Sequence, residues 1–545
     1  MSHADIDRTI DNAVYGHLKF LYVSPERLKT DMMLERLPKM PVNLIAVDEA
    51  HCISQWGYDF RPAYLEIAAI RDILPQVPLM ALTATATPEV VDDIQEKLAF
   101  RPGAKVWKKS FTRENLAYVV RRAEGKIAQV VNILERVPGT SVVYARNRKK
   151  CKDIAVELMR RGIPASYYHA GLDMDTRNAR QEAWINGQVR VMVSTNAFGM
   201  GIDKADVRTV IHLDLPDSLE AYFQEAGRAG RDGEKAYAIL LYAPPDKDRL
   251  LRNYELSFPE LEDIRRVYRA LGSYLQLATG AGIGASYDFD LAGFAQTFQL
   301  DATLAYHSLK VLEQSGWLTM SEAVYIPSTL KVLVDKDTLY DYQLKHPKYD
   351  VILKVILRTY QGAFSHPVAV REKQLAQFLK IQVSELRSAL MAMHRSHIIR
   401  YTPATDNPQL TFTQDRVAAE HLTIDMAAYR FRKERQWQRI QAAIRYVESS
   451  VCRSKLLVRY FGETTANDCG HCDVCTERRK KGLTTDAYSA YSHALEKALE
   501  AFPLALEDIV RLFPTDKEQL VLETLTYLME EGQVQKDANG RIEWV

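Results

Sequence analysis

Short apolar runs that end in polar residues, with helical patterns between them, constrain this chain more than any other feature. LKFLYVS (18–24), VNLIAV (42–47) and PLMAL (78–82) form a first group. TSVVYA (140–145), PASYYH (164–169), RVMVST (190–195), TVIHLD (209–214) and AYAILLY (236–242) form a second. Strands buried on both faces of a parallel sheet read as continuous apolar runs, and ligands bind at the carboxyl ends of such strands. RPGAKVWKKSFTRENL (101–116), between the groups, has the character of a linker. The spacing predicts two consecutive α/β domains, 1–110 and 111–250.

After residue 250 the pattern changes to helices with short strands. Three stretches share one order: a short helix, a polar turn, a longer helix and a hairpin-like pair. They are 291–326, 372–403 (followed by PQLTFT) and 506–545. This is the order of a winged helix, built on helix-turn-helix. A single copy is matched by any small helical domain, and a winged helix can also dock protein. Three copies favour nucleic acid. The remaining boundaries are then 251–335 and 336–428 for two winged-helix-like segments, 429–482 for a cysteine-bearing module, and 483–545 for a third winged-helix-like domain.

Hydrophobic residues make up 47% and charged residues 26% of the chain, and the formal net charge is +1. Any nucleic-acid surface must therefore be local rather than global. No apolar run is long enough to span a bilayer. The start, MSHADIDRTIDNAVYG, has neither a basic nor an apolar leader region. Six cysteines in 545 residues do not make a disulfide scaffold. The reading is cytoplasmic, with no membrane partner.

Several motifs carry chemistry. In NLIAVDEAHCISQWGYDFRP (43–62), Asp48 and Glu49 sit just past an apolar strand, with His51 in the same four-residue box. An aspartate there can hold Mg²⁺ through water, and the adjacent glutamate can activate the attacking water. Four letters alone match by chance, and the strand-end position is what adds weight. In AYFQEAGRAGRDG (221–233), Gln224, Arg228 and Arg231 are spaced by four and three, which on a helix places them on one face. Two arginines from a second domain suit a phosphate; a solvated basic face is the bland alternative. Gly201 and Asp203, in STNAFGMGIDKADV, suit close backbone approach to phosphate or sugar, and equally a turn. ALTATAT (81–87) places hydroxyls at another strand end.

Cys452, Cys469, Cys472 and Cys475 give C-x16-C-x2-C-x2-C, which can close a tetrahedron of four thiolates around a structural Zn²⁺. An iron–sulfur cluster is the runner-up. YRFRKERQWQRIQAAIRYVE (429–448) is a basic run with interleaved aromatics, suited to a phosphate backbone or to packing beside the metal.

The order of LYVSPERL, AVDEAHCISQWGYDFRPAY, MALTATAT, YHAGL, AFGMGIDKADVRTVIH and YFQEAGRAGRDG, with CRSKLLVRYFGE and CGHCDVC downstream, resembles the RecQ family of superfamily 2 DNA helicases. The resemblance covers most of 15–250 and then 440–476. It implies two RecA-like parallel-sheet motor domains, the first incomplete, followed by α+β zinc-binding and winged-helix modules. It implies ATP and Mg²⁺ as cofactors beside Zn²⁺, and single-stranded and duplex DNA as partners. It further implies 3′-to-5′ movement, a role in repair or recombination, and a nucleoid-associated place in the cytoplasm. Carried over, Trp56, Phe60 and Arg61 are the DNA-sensing residues of an aromatic-rich loop; stacking beside a cation suits that task. Tyr58 stands where the family commonly has histidine, and Glu114 where it has proline.

One departure is larger. The family's motor opens with a glutamine-bearing nucleotide motif and a glycine-lysine-serine/threonine phosphate loop. No G-x-x-x-x-G-K-[ST] occurs in these 545 residues. The expectation is a helicase whose reading frame as given starts late, inactive as it stands, with an exposed sheet edge. A non-hydrolytic DNA-binding protein built of zinc and winged-helix modules is the alternative. An RNA-directed motor is a third reading.

Overall fold

Along Val142–Ala145 successive side chains enter two different cores. Val142 and Tyr144 join one cluster with Met192, Val210 and Ala238. Val143 and Ala145 join another with Val191, Val193 and Ile211. Side chains alternate across a strand, so a strand covered on both faces must be apolar throughout. The structure is a computed structural model. It describes residues 3–54, 56–57, 59–198, 203–320, 328–360, 362–364, 367–403, 409–464, 467–480, 483, 485–500, 502–537 and 539–545.

The chain divides into two compact units, 1–254 with 427–545, and 255–426. In the first, β1 (Ile45–Val47) pairs in parallel with β2 (Leu79–Ala81). Six further strands form one parallel sheet: β3 (Leu116–Arg122), β4 (Thr140–Tyr144), β5 (Ala165–Tyr168), β6 (Val191–Ser194), β7 (Val207–His212) and β8 (Ala236–Tyr242). Their order is β3-β8-β7-β4-β6-β5, so the winding reverses beside β4. Strand β3 begins at the last residue assigned to the linker.

The run 18–24 forms no strand. Among the described residues its amides find no ladder partner. Phe20 and Tyr22 are 79% and 93% exposed, as are large parts of Leu44, Met80 and Leu82 around the β1–β2 pair. An apolar run is buried in a sheet only where a neighbouring strand accepts its hydrogen bonds.

The helix Met426–Glu448 lays Ile440, Ala443, Ile444, Tyr446 and Val447 into the core of the six-stranded sheet, and Leu457 joins them. The chain then passes through helices Arg453–Tyr460 and Asp473–Lys480. Helices Leu506–Arg511 and Glu518–Glu530 follow, with the antiparallel pair β15 (Val534–Lys536) and β16 (Ile542–Trp544). Trp544 packs against this last core.

The second unit holds two antiparallel sheets. One orders β10 (Leu318–Met320), β14 (Gln409–Phe412) and β9 (Ser286–Asp288) with β14 in the centre; the other has β11 (Ser328–Val332) between β12 (Val368–Val370) and β13 (Ile399–Thr402). Here the structure departs from the repeat reading. PQLTFT is not the wing of the segment before it: Phe412 pairs with Leu318 and Leu410 with Tyr287. Residues 328–402 are thus inserted between the strands of the first segment's sheet. The hydrophobic pattern of a strand names its faces but not its neighbour. Among the described residues no helix is long and apolar enough to cross a membrane.

Candidate active site and metal centre

Beyond β1 the backbone turns sharply. Glu49 takes a left-handed conformation (φ 49°, ψ 42°), rare for a residue with a Cβ and costing about 1 kcal/mol or more. Its N–H donates to Asp48 Oδ1 at 2.9 Å. A short 3₁₀ helix, Ala50–Ile53, follows and is wholly buried. Burial, then the neighbouring Asp48, pushes the Glu49 carboxyl up, in the direction a general base requires. His51 Nδ1 lies 3.3 Å from Glu49 Oε2 and 3.0 Å from Thr83 Oγ1 in ALTATAT. Burial lowers His51 from 6.5 to about 4, so the ring is neutral at physiological pH. A carboxylate only accepts, which places the proton on Nδ1.

The second lobe meets this turn directly. Gln224 Nε2 donates to Glu49 Oε1 at 3.1 Å, and the positive charge of Arg228 acts on Glu49. Arg228 is 7% exposed, and its Nε has no hydrogen-bond partner among the described residues. A buried donor near the Glu49 carboxylate fits an anion such as a nucleotide phosphate. Arg231 instead pairs with Asp203 at 2.9 Å, and Asp203 is largely exposed. Gly201 lies outside the described residues.

The one-face helix expected for these residues is not formed. The helix Leu219–Ala226 ends at Gly227, so Gln224 is helical while Arg228 and Arg231 lie in the turns beyond. Gly230 has φ +62°, and a Cβ there would meet Asn115 Nδ2 at 2.5 Å. That approach is the purpose of the glycine. Arg113 donates to the carbonyls of Gly227, Ala229 and Gly230, and Asn115 to those of Gly230 and Glu234. FTREN therefore holds the arginine turn, a role the linker reading missed. Arg113 and Asn115 flank Glu114, the residue singled out from the sequence. Ser110 Oγ and the Phe111 N–H bind Glu463, and Phe111 stacks on Phe461 at 4.5 Å, so the same linker is fastened to the cysteine module.

The aromatic-rich loop folds back on the box. A Cβ on Gly57 would meet His51 O at 2.4 Å. Trp56 sets its ring edge-on to Phe431 at 4.6 Å, with the Arg435 guanidinium 4.3 Å from its centroid; Arg439 donates to its carbonyl. Phe60 is half-buried, and Arg61 pairs with Asp59 at 2.6 Å. The basic run 429–448 thus serves in part as a platform for this loop.

Cys452, Cys469, Cys472 and Cys475 bring their sulfurs within 4.8 Å of one another. Cys452 and Cys472 Sγ are 4.0 Å apart, against about 3.8 Å for the edge of a tetrahedral zinc–thiolate site. The amides of Cys469, Cys472 and Cys475 donate to the sulfurs of Cys452, Cys469 and Cys472. These bonds favour thiolates. His471 turns away, its Nε2 3.2 Å from Leu116 O. The donor set fits Zn²⁺ closed by four sulfurs.

Two helicase domain families match the motor lobes: DEAD/DEAH box helicase over residues 2–94 and helicase conserved C-terminal domain over 125–233. With the parallel sheets and the inter-lobe contact at Glu49, they define a helicase core of the DEAD/DEAH class. RecQ zinc-binding matches 413–476, and RecQ helicase winged-helix domain, Bacteroidota, matches 330–403. The chain thus carries helicase domains together with RecQ-type zinc-binding and winged-helix domains. It is similar to the probable ATP-dependent DNA helicase RecS of Bacillus subtilis, 41% identical over 46% of this chain and 51% of that one. It is also similar to the ATP-dependent DNA helicase RecQ of the same organism, 43% identical over 45% of this chain and 42% of that one. The chain spans about half the length of the curated relatives it matches. Among solved structures, S. cerevisiae Dbp5 bound to RNA and ADP BeF3 aligns with TM-score 0.35 and 20% identity over 42% of this chain and 60% of that one.

Proposed function

We propose that the protein is an ATP-dependent DNA helicase of RecQ type, moving 3′ to 5′ on single-stranded DNA at its junction with duplex, in repair or recombination. Its place is then the cytoplasm, at the nucleoid. The observation that carries this reading is the contact of Gln224 with Glu49, which joins the water-activating carboxylate of one lobe to the arginine turn of the other. In this reading Asp48 holds Mg²⁺, Glu49 activates water, and neutral His51 relays the state of Glu49 to Thr83. Arg228 meets the phosphate charge, and Arg231 joins it on leaving Asp203; Gly201 and Asp203 approach the nucleotide. Trp56, Phe60 and Arg61 meet the DNA strand. The division 1–110, 111–250, 251–335, 336–428, 429–482 and 483–545 assigns these roles to two motor lobes, two winged-helix segments, the zinc module and a third winged helix. The insertion of 328–402 makes the middle two one nested pair.

Nothing among the 545 residues supplies a G-x-x-x-x-G-K-[ST] loop. The polypeptide by itself is therefore expected to bind DNA without turning over ATP. The test is ATP hydrolysis with and without single-stranded DNA, with DNA binding and zinc content read on the same sample. DNA binding without turnover is expected. DNA-stimulated turnover lost on Glu49→Gln would support the motor and overturn the inactivity. Failure to bind DNA would overturn the DNA-directed reading. The second reading, a non-hydrolytic zinc and winged-helix DNA binder, is favoured by the winged-helix match over 330–403, and predicts DNA binding indifferent to nucleotide.

A further inference from the structure

A second group of metal-type donors lies where the DEAH box meets the aromatic-rich loop. His51 Nε2 is 3.7 Å from Cys52 Sγ, and Cys52 Sγ is 3.7 Å from Asp59 Oδ2. All three donor atoms fall within 4.8 Å of one another. With zinc bond lengths of about 2.3 Å to sulfur and 2.0 Å to nitrogen or oxygen, a tetrahedral edge between such ligands is about 3.5 Å. The two edges at Cys52 Sγ are within about 0.2 Å of that value.

The surroundings set the donors for this use. Glu49 and Thr83 hold His51 by Nδ1, so the lone pair of Nε2 faces the cysteine and the aspartate. Metal-bound histidines are oriented in this way, by a carboxylate on the far nitrogen. His51 and Cys52 are buried, while Asp59 is half-open to solvent and gives an entry path. Arg61 is the competing cation, bonded to Asp59 Oδ2 through both Nε and Nη2.

We propose that His51, Cys52 and Asp59 form a second site for a thiophilic divalent cation of the Zn²⁺ type, with its fourth position open to water. Binding forms bonds from the ion to Nε2, Sγ and Oδ2, and releases the Cys52 thiol proton to solvent. It exchanges Arg61 for the metal on Asp59. Bound metal pins the base of the aromatic loop to the DEAH box and frees the arginine. On the proposed function this would hold the loop in one position and inhibit coupling, but the site itself is tested without that function.

The experiment uses the full chain with its four-cysteine site already loaded with zinc. Co²⁺ is titrated in, and thiolate-to-cobalt absorbance is read with total cobalt and zinc content. One further cobalt per chain is expected, with the zinc retained and a charge-transfer band that is lost in Cys52→Ser. Asp59→Asn should weaken binding about tenfold or more, and Arg61→Ala should tighten it by removing the competitor. Absence of the band in the zinc-loaded chain would overturn the proposal, as would its persistence in Cys52→Ser or weaker binding in Arg61→Ala. Retained zinc and an unchanged unfolding transition show that each variant is folded. DNA-stimulated turnover is not needed for any of these readings, so failure here leaves the helicase reading intact, and failure of that reading leaves this one intact.

Discussion

Gln224 Nε2 reaches Glu49 Oε1 at 3.1 Å across 175 residues of sequence. The glutamine stands in the last turn of its helix, and the glutamate in a left-handed turn that few residues of its kind adopt. Each lobe therefore fixes one half of the contact before the other arrives. A hydrogen bond to a charged group contributes about 1.5–3 kcal/mol, and less here, because Glu49 is 30% exposed. Gln224→Ala should speed amide hydrogen exchange in 48–53 and 224–230 and leave strands β5 and β6 unchanged.

His51 makes stability depend on pH with a definite sign. Its folded value, about 4, lies below its ordinary value of 6.5. Between the two, the unfolded chain binds more protons than the folded one. The stabilisation is therefore present above 6.5 and is lost as pH falls towards 4, by up to about 3 kcal/mol. His51→Gln should flatten that part of the curve of unfolding free energy against pH. His307, also lowered by burial, contributes with the same sign.

The zinc module shares its core with the second motor lobe through Tyr446, Val447 and Leu457. Structural zinc contributes about 10–16 kcal/mol to the folding of isolated zinc-binding peptides. Chelation, or Cys472→Ser, should lower the thermal midpoint of this lobe as well as strip its zinc. Calorimetry with metal analysis on the same sample checks this; an unchanged lobe transition would contradict the shared core.

Lys455 and Glu531 form a buried ion pair at 2.8 Å that ties the zinc module to the C-terminal domain. Tyr488 donates to Glu531 at 3.1 Å, and Arg478 pairs with Asp468 at 2.6 Å nearby. Removing one member of a buried pair costs about 3–5 kcal/mol, whereas replacing both by apolar residues is often neutral. Glu531→Ala should destabilise the C-terminal domain by that amount in urea unfolding. Glu531→Leu with Lys455→Met should recover most of it.

Trp56 is held by the near-perpendicular ring of Phe431 and the guanidinium of Arg435 over its face. An aromatic pair is worth about 0.5–1.5 kcal/mol beyond burial. Phe431→Ala should raise acrylamide quenching of Trp56, read as the difference from Trp56→Phe, without lowering zinc content.

The sequence by itself determined what is local. Continuous apolar runs marked β4, β6, β7 and β8, because a strand covered on both faces can be nothing else. The two-residue spacing of Cys469, Cys472 and Cys475 marked a metal, because thiolates so spaced converge on one ion. Tertiary structure decided who faces whom. The run 18–24 has the composition of a strand but no ladder partner among the described residues. Arg228 and Arg231 have helical spacing, yet Gly227 and Gly230 turn the chain out of the helix, and Arg113 and Asn115 of the linker hold that turn. Strand β14 reads as part of the segment before it but pairs across an insertion with β9 and β10. Periodicity and spacing report a residue's own backbone and burial. The partner of a strand edge, a carboxylate or a ring is set by the packing of segments far apart in sequence, on which a local pattern has no hold.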